Sequence, residues 1–112
     1  MGISGLGIFL GNNDTSTESF VRNVDYSVQV MGIDHVGIGI DYVFDQKKLT
    51  GGFDLKRHIW PEGFGYEVGT RFVAPKQIED IVEALLVRGY IEADLKKVLG
   101  ENFLRVARQI WK

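Results

Sequence analysis

The stretch Gly32-Ile33-Asp34-His35-Val36-Gly37-Ile38-Gly39-Ile40-Asp41 decides how this chain is read. Val36, Ile38 and Ile40 alternate with Gly37 and Gly39, so the run reads as a short buried strand with one bulky face and one face of bare backbone. Such a strand lies where other backbone or a ligand comes close. It ends on a carboxylate, Asp41. In a barrel of parallel strands, a carboxylate at the carboxyl end of a strand reads as catalytic. The competing reading of Asp41 is a turn or helix-cap carboxylate following the strand.

The flanking sequence predicts what the strand packs with. Residues 2–10 form a core-type run, with Ile3, Leu6, Ile8, Phe9 and Leu10 around Gly5 and Gly7, and read as a strand. A polar turn over residues 12–16 is rich in capping residues, and Thr15 with Glu18 matches the S/T-x-x-E capping box. Phe20, Val24, Ser27, Val28 and Met31 then recur at helical spacing, which predicts a helix from about Ser16 to Met31, stopped by Gly32. Strand, helix, strand is a βαβ unit, and implies parallel strands joined by a right-handed crossover.

Beyond Asp41 the pattern changes. Residues 42–72 show no clean period and carry the aromatics Phe53, Trp60, Phe64 and Tyr66. A connection of that length far exceeds the usual ~4–6 residues, and its aromatic content argues for an ordered loop over the end of a barrel. Residues 71–73 read as a further short strand. Pro75 suits the first turn of a helix whose inner face is Ile78, Ile81, Val82, Leu85 and Leu86, with Gly89 as its stop. A short helix over 92–99 buries Leu95, Val98 and Leu99 and breaks at Gly100. A terminal helix carries Phe103, Leu104, Ala107 and Ile110.

Composition narrows the functional classes. The 112 residues allow one small domain, residues 1–112, and the 45% hydrophobic and 25% charged fractions are those of an ordinary globular protein. A net charge of −2 offers no basic footprint for nucleic acid. No apolar run approaches the ~18 residues of a membrane span, and the opening Met-Gly-Ile-Ser-Gly-Leu has no secretory-signal pattern. There is no cysteine, so disulfides, thiolate metal sites and cysteine nucleophiles are absent from the chain.

The only histidines are His35 and His58. His35 begins the strand that Asp41 ends, about 20 Å away at the usual rise per residue, so the two cannot share a metal ion or a proton. His58 reads as a solvated loop histidine. Arg105 and Arg108 read as helix-dipole partners and surface charge. The glycines of Gly5-Leu-Gly7-Ile-Phe-Leu-Gly11 lie within a strand rather than between strand and helix, and their spacing is not that of a dinucleotide-binding loop.

Two stretches carry a family resemblance. The run Gly32–Asp41 resembles the strand that ends in the G-S-D-F-D-G motif of the membrane (renal) dipeptidase family of zinc metallopeptidases. The tail Arg88-Gly-Tyr-Ile-Glu-Ala-Asp-Leu-Lys-Lys-Val-Leu-Gly-Glu-Asn-Phe-Leu-Arg-Val106 resembles that family's R-G-Y-x-E-x-x-x-K-x-x-G-x-N-F-L-R-V. The resemblance implies that the chain is the C-terminal third of a (β/α)8 barrel, an α/β fragment of two or three parallel strands with flanking helices. It also implies a parent that hydrolyses dipeptides or related small amides with two zinc ions. The family's metal ligands have no counterpart in this segment, so no metal-binding residue and no zinc are expected in this chain alone, which would be inactive by itself.

Asp41 is the one catalytic residue the resemblance carries over. In the family the matching aspartate handles the proton during attack by an activated water and departure of the amine, the two transfers that amide hydrolysis demands. The chain departs from the family after that residue: Asp41-Tyr-Val-Phe-Asp45 replaces Asp-Phe-Asp-Gly, and Asp45 has no family counterpart. The alternative is a small stand-alone α/β protein that binds a ligand or partner without catalysis. A barrel fragment leaves open strand edges and uncovered helix faces, which predicts self-association.

Overall fold

The computed structural model describes residues 1–55, 57–59 and 69–111. Its centre is a two-stranded parallel sheet in which β1 (Gly2–Ser4) pairs with β2 (Gly37–Gly39) in the register Gly2↔Gly37, Ile3↔Ile38 and Ser4↔Gly39. The pair is extended at both ends, by Gly37 N–H donating to the Met1 carbonyl (2.8 Å) and by Gly5 N–H donating to the Ile40 carbonyl (3.0 Å). The fold is mixed α/β, and the βαβ unit is present. The third segment differs from the expected strand. Phe72 makes a single antiparallel bridge to Leu6, so the parallel strands number two among the described residues.

The run 2–10 is not one strand. It leaves the sheet after Ser4 and coils into a single helical turn, α1 (Gly7–Leu10). The turn begins at Gly5, a close junction where an added Cβ would stand 2.5 Å from the Ile40 carbonyl oxygen and 3.1 Å from Val73 Cβ. Gly5 is bonded on two sides, to Ile40 through its N–H and to the Val73 N–H (2.8 Å) through its carbonyl. The chain is thereby pinned between two neighbours and turns away.

Helix α2 (Thr17–Met31) matches its expected limits, with Gly32 at φ 84° as the stop. Its cap is Ser16, whose hydroxyl accepts from the Ser19 N–H (3.2 Å), not the expected Thr15–Glu18 box. The inner face of α2 buries Phe20, Val21 and Val24 and packs against α4 (Ile78–Val87), which buries Ile81 and Leu85. Pro75 opens a 3-10 turn (Pro75–Gln77) that leads into α4, and Gly89 at φ 91° follows its end. Leu86, expected inside, is exposed.

The sequence pattern also concealed a helix. Within the supposed loop lie α3 (Gln46–Leu55) and a 3-10 turn (Arg57–Ile59). Asp45 closes the amino end of α3, its Oδ1 accepting from the Lys48 N–H at 3.1 Å, which explains why this residue has a structural place of its own. Trp60, Phe64 and Tyr66 lie outside the described residues, as does the side chain of Phe53.

The C-terminal region has α5 (Glu92–Lys96), a wide turn (Lys97–Glu101) and α6 (Asn102–Ile110). Leu95 and Val98 are buried as expected, but the chain kinks at Gly100, the 3.6-residue repeat is lost, and Leu99 stays 45% exposed. The bare face of β2 is filled from here: the Phe103 ring lies so close over Gly37 that a Cβ there would meet Cε2 at 2.4 Å. The glycine pattern at this end of the strand therefore records ring packing.

Asn102, the asparagine of the tail motif, organises this region. It is buried, and its Nδ2 donates to the Ile33 and Val36 carbonyls, each at 2.8 Å. Those carbonyls bracket the 3-10 turn (Ile33–His35) that leads into β2. Asn102→Leu keeps the volume but strands both acceptors, at a cost of about 3 kcal/mol. Chemical denaturation checks this, and a loss below about 1 kcal/mol would contradict it.

Candidate functional site

The strand expected to run from His35 to Asp41 is shorter, Gly37–Gly39, and Asp41 lies two residues beyond its carboxyl end, on the same end of the sheet as the exit from β1. Its backbone is left-handed, at φ 55°, and its side chain is exposed. That region is uncommon outside glycine and is tolerated best by Asn and Asp. The strand thus turns sharply on the carboxylate, and the side chain is presented at the surface rather than folded into the core. The same end of the sheet carries Gly5, the Leu6–Phe72 bridge and the loop after β1. Asn12 and Asn13 in that loop are also left-handed. Asn13 ties the loop to the segment beyond residue 68: its Nδ2 donates to the Gly69 carbonyl (2.7 Å), and its Oδ1 accepts from the Arg71 N–H (3.2 Å).

Three aromatic rings continue from Asp41. Tyr42 meets Phe72 edge-to-face at a centroid distance of 6.1 Å, and Phe44 meets Tyr42 in the same manner at 5.1 Å. Phe72 is fixed at the sheet by its bridge to Leu6. Neither histidine joins Asp41. His35 ends the 3-10 turn before β2, at the strand's opposite end, and its carbonyl accepts from the Met1 amino group. His58 is exposed in the turn that follows α3. Among the described residues no group of three or more His, Cys, Asp or Glu side chains is placed to hold a metal ion. Nor is any helix among them long and apolar enough to cross a membrane.

The tail motif resolves into structural contacts. The Arg88 guanidinium, beyond the end of α4, bonds both Asp25 and Glu18 on α2, which is why Glu18 is not free to serve the cap. Tyr90 donates its O–H to Asp25 Oδ1 (2.7 Å). Arg88 and Tyr90 thus clamp α4 to α2. Further along, Lys97 pairs with Asp34 (2.8 Å), whose carboxyl is held below the usual carboxylate range chiefly by the Lys97 hydrogen bond. Arg105 is more than surface charge, since its Nη2 donates to the Asp34 carbonyl at 2.7 Å.

The clamp has a pH signature. Burial, followed by the hydrogen bond to Asp25, pushes the Tyr90 phenol well above its ordinary 10.0. The folded state therefore holds this proton more tightly than the unfolded chain does. Its contribution is complete below about pH 10 and is lost as pH rises beyond that towards the folded value. Urea midpoints at pH 8 and pH 11 should fall more steeply for the native protein than for Tyr90→Phe. Equal slopes would show that the phenol carries no such linkage.

The described residues contain further hollows, but away from Asp41. One of about 500 Å³ is lined by Met1, Met31, Val36, Phe103 and Val106 among others, at the amino end of the strands. In a barrel this end serves stability rather than chemistry.

Comparison with known proteins gives one informative relative. The chain is 30% identical over 101 residues to the uncharacterized protein in the pqqA 5' region of Klebsiella pneumoniae, a match that covers 90% of this chain. It spans only 30% of that relative's length. No protein-family profile matches the chain, and no solved structure matches it.

Proposed function

We propose that this chain is the C-terminal part of a zinc-dependent dipeptidase barrel, and that Asp41 is the residue through which it takes part in hydrolysis. The observation that carries this reading is the placement of Asp41: an exposed carboxylate on a left-handed backbone, at the carboxyl end of a parallel strand. Backbone of that kind concentrates at functional sites. The residues of the tail motif serve the frame: Arg88 and Tyr90 bind α2, and Asn102 holds the turn that leads into β2. The similarity to a relative about three times as long fits a segment of a larger fold.

In this reading the zinc ions of the enzyme are held by segments outside this chain. What this chain contributes is a carboxylate that accepts a proton and returns it to the departing amine nitrogen. The substrates would be dipeptides or related small amides. By itself the chain is expected to be inactive and to self-associate through its open strand edges.

The test is intact mass, zinc content and dipeptide hydrolysis, measured on one sample of the protein as its native gene encodes it. A mass well above 12.6 kDa with about two zinc ions and activity dependent on Asp41 supports the proposal. A 12.6 kDa species that binds zinc and cleaves dipeptides unaided overturns the assignment of the zinc ligands to other segments. A longer, zinc-loaded protein that cleaves no dipeptide overturns the activity.

A further inference from the structure

Asp41 follows directly on a peptide group that the other strand holds. The Ile40 carbonyl accepts from the Gly5 N–H at 3.0 Å, and the next residue is Asp41 at φ 55°. A peptide unit is planar, so fixing the Ile40 carbonyl also fixes the Asp41 N–H. Turning that plane over would return Asp41 to a negative φ, which an L-residue prefers, and would re-aim its side chain. It would also leave the Gly5 N–H without a partner in a buried place, which is costly.

Gly5 can make this bond because it carries no side chain. A Cβ there would stand 2.5 Å from the Ile40 carbonyl oxygen, so a larger residue could not bring its N–H as near. Gly5 is itself held from its other side, where its carbonyl accepts from the N–H of the buried Val73 at 2.8 Å. These bonds join backbone to backbone inside the fold. They are independent of whatever covers its outer surface.

We infer that Gly5 is a positioning residue, whose N–H holds the Ile40–Asp41 peptide in the orientation that keeps Asp41 left-handed and its carboxylate set for proton transfer. The inference rests on the dipeptidase reading and adds to it a buried residue that acts through Asp41.

The hold is tested first, by hydrogen exchange in the protein as its native gene encodes it. Alanine tolerates the left-handed region poorly, whereas asparagine and glycine accept it. Exchange of the Gly5 amide, read by NMR, should therefore quicken about tenfold in Asp41→Ala. The amide of Val24, inside α2, is the reference for opening of the whole fold. Asp41→Asn and Asp41→Gly should leave the ratio of the two rates within about twofold of native. An unchanged ratio in Asp41→Ala overturns the hold.

Kinetics of the zinc-loaded enzyme tests the consequence. Gly5→Ala should lower kcat for dipeptide hydrolysis about a hundredfold, with KM little changed. It should lower the residual rate of Asp41→Asn no further, because both changes act through one group. A glycine with a merely structural role would depress both backgrounds alike. A folded Gly5→Ala enzyme with native kcat, or an equal fall in both backgrounds, overturns the positioning role. Where Gly5→Ala fails to fold, the exchange ratio decides. If the native enzyme cleaves no dipeptide, the reading of Asp41 falls, and the exchange ratio still tells whether Gly5 holds the turn.

Discussion

On the dipeptidase reading proposed above, Asp41→Asn is expected to lower kcat for dipeptide hydrolysis about a thousandfold in the zinc-loaded enzyme, with folding intact. A positioned acid–base group contributes roughly 10²–10⁴ to rate, and in that reading amide hydrolysis would use this one twice. Asparagine is the clean replacement because the backbone here is left-handed, at φ 55°, and Asn tolerates that conformation as well as Asp does. Asp41→Gly is the complementary control, since it relaxes the backbone and also deletes the carboxylate. Both variants should be inactive and should unfold within about 0.5 kcal/mol of the native protein, as surface substitutions do. Steady-state kinetics with a urea titration on each variant decides the matter. A variant that retains a tenth of the native kcat would remove Asp41 from the proton-transfer role. It would return the residue to the other reading, a turn carboxylate after a strand.

The second large effect falls on stability. Gly5→Ala should cost about 3 kcal/mol or prevent folding, because the added methyl meets the Ile40 carbonyl oxygen at 2.5 Å and Val73 at 3.1 Å. The nearer obstacle is backbone in a bonded strand extension, so it cannot swing aside. Gly37→Ala makes an instructive contrast. Its clash is at first sight worse, 2.4 Å to Phe103, but the obstacle is the far end of a half-exposed side chain, which can rotate away. Denaturant midpoints should therefore rank Gly5→Ala well below Gly37→Ala. The reverse order would mean that the Phe103 ring, not the junction at Gly5, holds the sheet.

The elements legible in the sequence were those whose signals are local. Helix α2 has apolar residues at steady helical spacing, polar capping residues before it and Gly32 after it, and its limits hold to one residue. Helix α4 is announced by Pro75 and closed by Gly89 in the same way. The misreadings share a different cause. The cap slipped from Ser16 to Thr15 because Glu18 matches the capping box, yet Glu18 is claimed by Arg88, seventy positions away. The run 2–10 has the apolar density of a strand, but where it stops is set by Ile40 and Val73, which no local pattern reveals. Helix α3 was hidden because Gly51 and Gly52 interrupt its period. At the site, the place of Asp41 was legible from the strand pattern, whereas its left-handed turn and the aromatic ladder depend on Phe72, which arrives from thirty residues downstream.

The pairing of Gly2 with Gly37 has a kinetic consequence. Every hydrogen bond of this sheet joins positions about thirty-five residues apart, so chain entropy must be surrendered before any of them forms. Helix α2 is local and can form early, and its packing against α4 needs no strand to be in place. The α2–α4 packing joins positions still farther apart, Glu18 and Arg88 among them, so it closes no sooner than the sheet, and the geometry that presents Asp41 exists only once β1 and β2 have paired. A chain emerging from the ribosome must complete the whole crossover before β1 can pair with β2. Until then, the side of β1 that β2 will occupy stays open.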